Sequence, residues 1–147
     1  MIAKYRVIAT LSLAAAAVLA ATVAPGTARA STATPSPSIS PATTKVVVPL
    51  TNIYGYKCPS GNLCLWVYDP NATNGRGAYD VFDLDACHTY SVSYWHGSAT
   101  YEDNQTGGVT SYFYGQSGNT LTHFTPTGDT IKTYSGDWDP VWSVKNC

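Results

Sequence analysis

Short apolar and β-prone runs alternate with turn residues along the later two-thirds of the chain. Residues 63–68, 78–84, 90–95, 109–114, 120–124, 130–134 and 142–145 are each of strand length and rich in Val, Thr and aromatic residues. Between them lie Asp69-Pro70-Asn71, Asn74-Gly75-Arg76-Gly77, Gly107-Gly108, the Gly-rich stretch 115–119, Gly128-Asp129 and Gly136-Asp137. These are turn chemistries, recurring every ~8 to 15 residues. No stretch carries a helical period. The pattern predicts a small all-β sandwich or barrel.

The chain ahead of these runs has a different character. Lys4 and Arg6 precede an apolar, Ala-rich run over 7–23, and Ala28-Arg29-Ala30 offers small residues where a signal peptidase reads. A signal peptide over residues 1–30, cut before Ser31, is expected. The run of about 17 apolar residues is short of the roughly 20 that span a bilayer, so the cleaved protein is expected to be secreted and free of the membrane. Residues 31–44 (STATPSPSISPATT) set three Pro among Ser and Thr without an apolar period. Such a segment buries too little surface to offset its ordering entropy. It predicts a flexible linker over 31–51, with Val46-Val47-Val48 offering a strand start that Pro49 interrupts. The globular domain is then 52–147.

Composition narrows the function classes. Three of the eight basic residues (Lys4, Arg6, Arg29) fall in the signal, whereas all nine acids follow it, leaving a net charge of −4. A nucleic-acid partner is disfavoured by that sign. Charged residues make up only 12% of the chain, about half the roughly 25% usual for globular proteins. From Asn52 onward there are ten Tyr, four Trp and three Phe, so uncharged polar and aromatic groups must form much of the surface.

All four cysteines, Cys58, Cys64, Cys87 and Cys147, lie in the domain. Outside the cell an even count implies disulfides, and four Cys allow three pairings. Pro59 and Gly61 bend the short loop between Cys58 and Cys64, favouring that local bond and leaving Cys87 to meet Cys147. By chain entropy the longer loop contributes roughly 4 kcal/mol and the shorter roughly 2. A zinc site fits poorly, because no C-x2-C pair exists.

An internal repeat is visible. Trp95-His96-Gly97-Ser98-Ala99-Thr100 matches Trp138-Asp139-Pro140-Val141-Trp142-Ser143 at an offset of 43, with Tyr90-Ser91 matching Tyr134-Ser135 and Phe82 matching Phe124 nearby. Two halves of about four short strands each predict two Greek keys packed around a pseudo-twofold axis.

Cys58-Pro59-Ser60-Gly61-Asn62-Leu63-Cys64-Leu65, followed by an aromatic strand, a Gly-containing hairpin, a mid-domain Cys and a Trp-x4-Ser near the end, resembles the actinobacterial peptidase-inhibitor family typified by the Streptomyces metalloproteinase inhibitor. The resemblance spans residues 52–147. It implies an all-β, βγ-crystallin-like sandwich of two Greek keys, and by analogy inhibition of an extracellular protease. The family prototype has a second short disulfide loop in its later half; no such Cys pair exists here, so no inhibitory residue is carried over. Crystallin-type calcium sites place two Asn or Asp before two spacers and then Ser or Thr followed by Ser. Asp139 and Ser143 keep part of that pattern, with Trp138 and Trp142 in place of two ligands. A hard cation takes six to eight oxygens, which makes calcium a weak expectation and no cofactor the stronger one.

Catalytic constellations are sparse. Glu102 is the only Glu, so a Glu pair is excluded, and neither HExxH nor GxSxG occurs. With both disulfides formed no thiolate remains, and His88, His96 and His123 have no recognisable Ser or Cys partner in sequence. Asp83 and Asp85 lie two apart and would share a strand face, read here as a solvated one. Asn71-Ala72-Thr73 and Asn104-Gln105-Thr106 are glycosylation sequons to which no role is assigned.

The leading expectation is a secreted, monomeric, non-catalytic inhibitor offering a rigid loop, either that of Cys58 to Cys64 or the mid-domain tip 104–108, to an extracellular protease, with a metalloprotease as one target class. The alternatives are a calcium-binding or structural crystallin-like module resting on Asp139 and Ser143, and a carbohydrate or cell-wall binding module resting on the aromatic residues.

Overall fold

A computed structural model describes residues 34–147 except 127 and 129; the signal peptide read over 1–30 lies outside the described residues. The described residues form ten strands: β1 (Ser38–Ser40), β2 (Thr44–Pro49), β3 (Leu63–Asp69), β4 (Ala78–Leu84), β5 (Thr89–Ser93), β6 (Ser98–Asp103), β7 (Ser111–Tyr114), β8 (Thr120–Phe124), β9 (Ile131–Asp137) and β10 (Ser143–Lys145). A 3-10 segment over Leu50–Gly55 and a single helical turn over Ala72–Gly75 are the other regular elements among the described residues. Two antiparallel five-stranded sheets result, one in the order β1-β5-β10-β7-β8 and the other β2-β4-β3-β6-β9. The all-β class read from the sequence holds.

The main core lies where the two sheets face each other. Alternation places Leu63, Leu65 and Val67 of β3, Phe82 and Leu84 of β4, and Tyr90, Phe113 and Val144 of the other sheet inside it. The unbroken apolar run of β3 has a separate explanation. Its intervening residues Cys64 and Trp66 point to the opposite face, where they meet Val48, Cys58 and Val81 under a cover that includes Ile53 and Tyr56. Both faces of β3 are buried, as a continuous apolar run of strand length allows.

The segment read as a linker over 31–51 is corrected by the sheet pairings. β1 pairs with β5 in the register Ile39↔Val92, and β2 pairs with β4 from Thr44↔Asp83 to Pro49↔Ala78. A strand ladder draws on backbone groups, so a Ser- and Pro-rich segment can supply it at a sheet edge, where one row of N–H groups needs no partner. Side chains add to the attachment: Pro37 is buried, Ile39 packs on the main core, and the Lys45 ammonium lies 2.8 Å from the buried Asp80 carboxylate. The domain therefore begins ahead of Asn52.

Both disulfides pair as expected, Cys58 with Cys64 and Cys87 with Cys147, at Cα separations of 5.8 and 5.3 Å. The repeat residues also come together. Trp95 and Trp138 are both buried, with ring centroids 4.9 Å apart and planes at 79°. That edge-to-face arrangement is one that aromatic pairs favour.

Candidate functional site

The register of β3 against β6 sets Leu63 opposite Asp103. The loop before β3 and the loop after β6 must therefore lie side by side, and these are the two segments singled out as presenting loops. Three hydrogen bonds join them. Gly61 N–H donates to the Asn104 carbonyl (2.8 Å), Asn104 N–H donates to the Asn62 carbonyl (3.0 Å), and the Asn104 side-chain amide donates to the Cys58 carbonyl (2.8 Å). Gly61 closes its turn at φ 92°, a conformation that costs a side-chain-bearing residue dearly. Pro59 and Ser60 on one loop and Thr106, Gly107 and Gly108 on the other are exposed.

The far side of the second loop is tied to the chain terminus. The Ser111 hydroxyl donates to the Gln105 side-chain oxygen (2.7 Å), and the Gln105 amide donates to the carbonyl of Asn146. Asn146 in turn donates to the Leu84 carbonyl (3.1 Å) and accepts from His88 N–H (3.1 Å), immediately before Cys147 and its bond to Cys87. One disulfide thus pins each flank of a composite edge. Beneath it Asp103 is fully buried. Gln105 N–H donates to one carboxylate oxygen (3.3 Å), and the other oxygen has no partner. Burial pushes this carboxyl up to about 6, against the weaker opposing pull of that hydrogen bond.

Asp83 and Asp85 do not form the solvated pair expected of them. Asp85 is exposed just past the end of β4, while Asp83 is buried and accepts a hydrogen bond from the Tyr56 hydroxyl. Burial raises the Asp83 carboxyl above its ordinary range, the Tyr56 bond opposes this and the Asp85 charge adds to it. His88 and His123 rest against the rings of Tyr90 and Tyr112, with centroids 5.9 and 6.0 Å apart.

Of the degenerate calcium pattern, Asp139 is engaged by an imidazole and Ser143 lies in a strand. Asp139 Oδ1 lies 2.6 Å from His96 Nδ1, and that bond holds the carboxyl below its ordinary range. Ser143 sits within β10, opposite Ser91 and Tyr114. Trp138 fills the first position of the pattern and is wholly buried. Among the described residues no group of three or more His, Cys, Asp or Glu could hold a metal ion.

What the sequence did not reveal is the cleft around this pair. His96 and Asp139 line a cavity of about 320 Å³ together with Tyr94, Trp95 and Trp142. The signal lay in the repeat, since His96 and Asp139 are counterparts at the offset of 43; it matches residues but carries no information on exposure. No family model, curated protein or solved structure matches the chain.

Proposed function

We propose that this chain is a secreted, non-catalytic inhibitor of an extracellular protease, built as a βγ-crystallin-like pair of Greek keys and docking through the composite edge of Pro59-Ser60 and Thr106-Gly107-Gly108. The observation that carries the reading is the double anchoring of that edge: three hydrogen bonds join its loops, and a disulfide fixes each flank. A loop already held in its bound shape loses little conformational entropy on docking, and it resists the distortion that cleavage demands.

The architectural part of the proposal rests on strand order. β3, β4 and β6 share a sheet while β5 lies in the other; β7, β8 and β10 share the second sheet while β9 lies in the first. Each run of four strands thus exchanges its third member, and the repeat residues occupy matching places: Phe82 in β4 and Phe124 in β8, Tyr90 in β5 and Tyr134 in β9. A pseudo-twofold axis passing near the Trp95–Trp138 contact accounts for both facts. Disulfides on each flank also suit an oxidising compartment, in keeping with the signal read at the N-terminus.

The direct test is to incubate the secreted protein with a thermolysin-like metalloprotease, and separately with subtilisin- and trypsin-like enzymes, on a small peptide substrate. Slowed hydrolysis by at least one class at micromolar protein is expected, with the inhibitor recovered uncut. Unchanged hydrolysis across all classes removes the reading.

A further inference from the structure

The strands that carry the anchored edge run away from it to a second exposed surface. β7 leads from Ser111 at the edge to Tyr114 and the 115–119 hairpin, and β10 connects Trp142 to Asn146. At this opposite end two large rings stand in solvent, Tyr94 at 53% and Trp142 at 51% exposure. Neither sits on a loose tip. Tyr94 is held at φ 61°, a left-handed conformation that an aromatic residue rarely takes. The next residue, Trp95, turns into the core and donates its indole N–H to the Ser38 carbonyl (2.9 Å). Trp142 has both backbone groups engaged: its N–H donates to the Tyr114 carbonyl (2.8 Å), and its carbonyl accepts from Val92 N–H (3.1 Å).

Trp142 is also shared by two clefts. On one side lies the cavity of about 320 Å³ with Tyr94 and the His96–Asp139 pair; on the other lies one of about 450 Å³ with Gln116 and Asn119. Both volumes fall in the roughly 300–1,000 Å³ span of small-molecule sites. The chemistry is consistent across the two. An aromatic platform takes the C–H face of a pyranose ring, and a carboxylate, an imidazole and two amides supply acceptors and donors for its hydroxyls. Among the described residues no Lys or Arg lines either cleft, which leaves an acidic sugar or a phosphate without a counter-charge. We propose that this end of the molecule binds a neutral pyranose oligosaccharide laid across Trp142, one unit against Tyr94 and the His96–Asp139 pair and the next over Gln116 and Asn119. This site is separate from the inhibitory edge and does not depend on it.

Trp142 makes the test simple, because Trp66, Trp95 and Trp138 are buried and this indole is half exposed. Titration of the secreted protein with cellohexaose and with the β-1,4-linked hexamer of N-acetylglucosamine, followed by tryptophan emission and by calorimetry, is expected to show saturable binding of at least one. Trp142→Ala should weaken it tenfold or more and Asp139→Asn severalfold, with circular dichroism and melting temperature kept. Tyr54→Ala, which removes an exposed ring outside both clefts, should leave affinity unchanged. No binding of either sugar at millimolar concentration, binding untouched by Trp142→Ala, or preferential binding of an oligoproline peptide would each overturn the proposal.

Discussion

The two ends of the sandwich are stiffened by different means. At the end holding residues 58–62 and 104–108, order comes from covalent closure and from a chain of polar groups, Ser111 to Gln105 to Asn146 to Leu84. At the end holding Tyr94 and Trp142 there is no cross-link. Order there comes from rings in the core below: Phe82 is stacked on Trp95 at 5.2 Å, Trp95 meets Trp138, and Trp138 lies 5.1 Å from Phe113. Cross-links constrain mainly the unfolded chain, and ring packing acts through buried area and contact. A small domain can use one device at each end, so the two exposed surfaces can be perturbed separately.

The largest effect is expected from Trp138→Ala, which strikes the packed end. Trp138 is fully buried, touches Trp95 and Phe113, and donates its indole N–H to the Trp66 carbonyl (2.9 Å). Urea unfolding should show a loss of about 3–5 kcal/mol, and sugar affinity should fall with it because the support beneath the Trp142 clefts is removed. A loss below about 1 kcal/mol would mean that the rings do not hold this end. The paired change Cys87→Ser with Cys147→Ser attacks the other end. It should cost about 2–5 kcal/mol and weaken protease inhibition, while sugar binding persists at temperatures where the variant is folded. Equal losses in both assays would show that the ends are not independent.

The smallest effect concerns Asp103, under the anchored edge. Its carboxyl titrates at about 6 in the folded protein against an ordinary value of 3.8, so the native state holds its proton more tightly than the unfolded chain does. The Asp103 contribution is therefore favourable at low pH, is lost as pH rises from about 4 through about 6, and changes little beyond. Asp103→Asn should flatten that part of the melting-temperature profile and raise the melting temperature by a few degrees at pH 7. A variant that melts below the parent protein at pH 7, with the slope between pH 4 and 6 retained, would place the pH response elsewhere.

Most of the strand content was legible because turn residues bracket runs of the right length; β4 and β8 even have the expected limits. β6 was missed because it ends in Glu102 and Asp103, and buried acids are what a hydrophobicity pattern reads as loop. β1 was missed, and β2 was read only as a strand start at Val46-Val47-Val48, because Ser and Pro argue for disorder when an edge strand needs only its backbone and a few apolar anchors. The disulfide pairing followed from loop length. The joining of the two presenting loops required knowing that β3 and β6 are neighbours, which local composition does not state. Trp142 was seen as part of a failed calcium pattern; its exposure is a property of tertiary packing alone.

β1 and β2 also bear on how the protein keeps to itself. Each occupies one border of a different sheet, beside β5 and β4 respectively, and Pro37, Pro41 and Pro49 lie in or around them. A proline has no N–H to offer an incoming strand, so lateral growth of one molecule onto the next is refused at both borders. The Ser- and Pro-rich stretch thus closes one border of each sheet to an incoming strand.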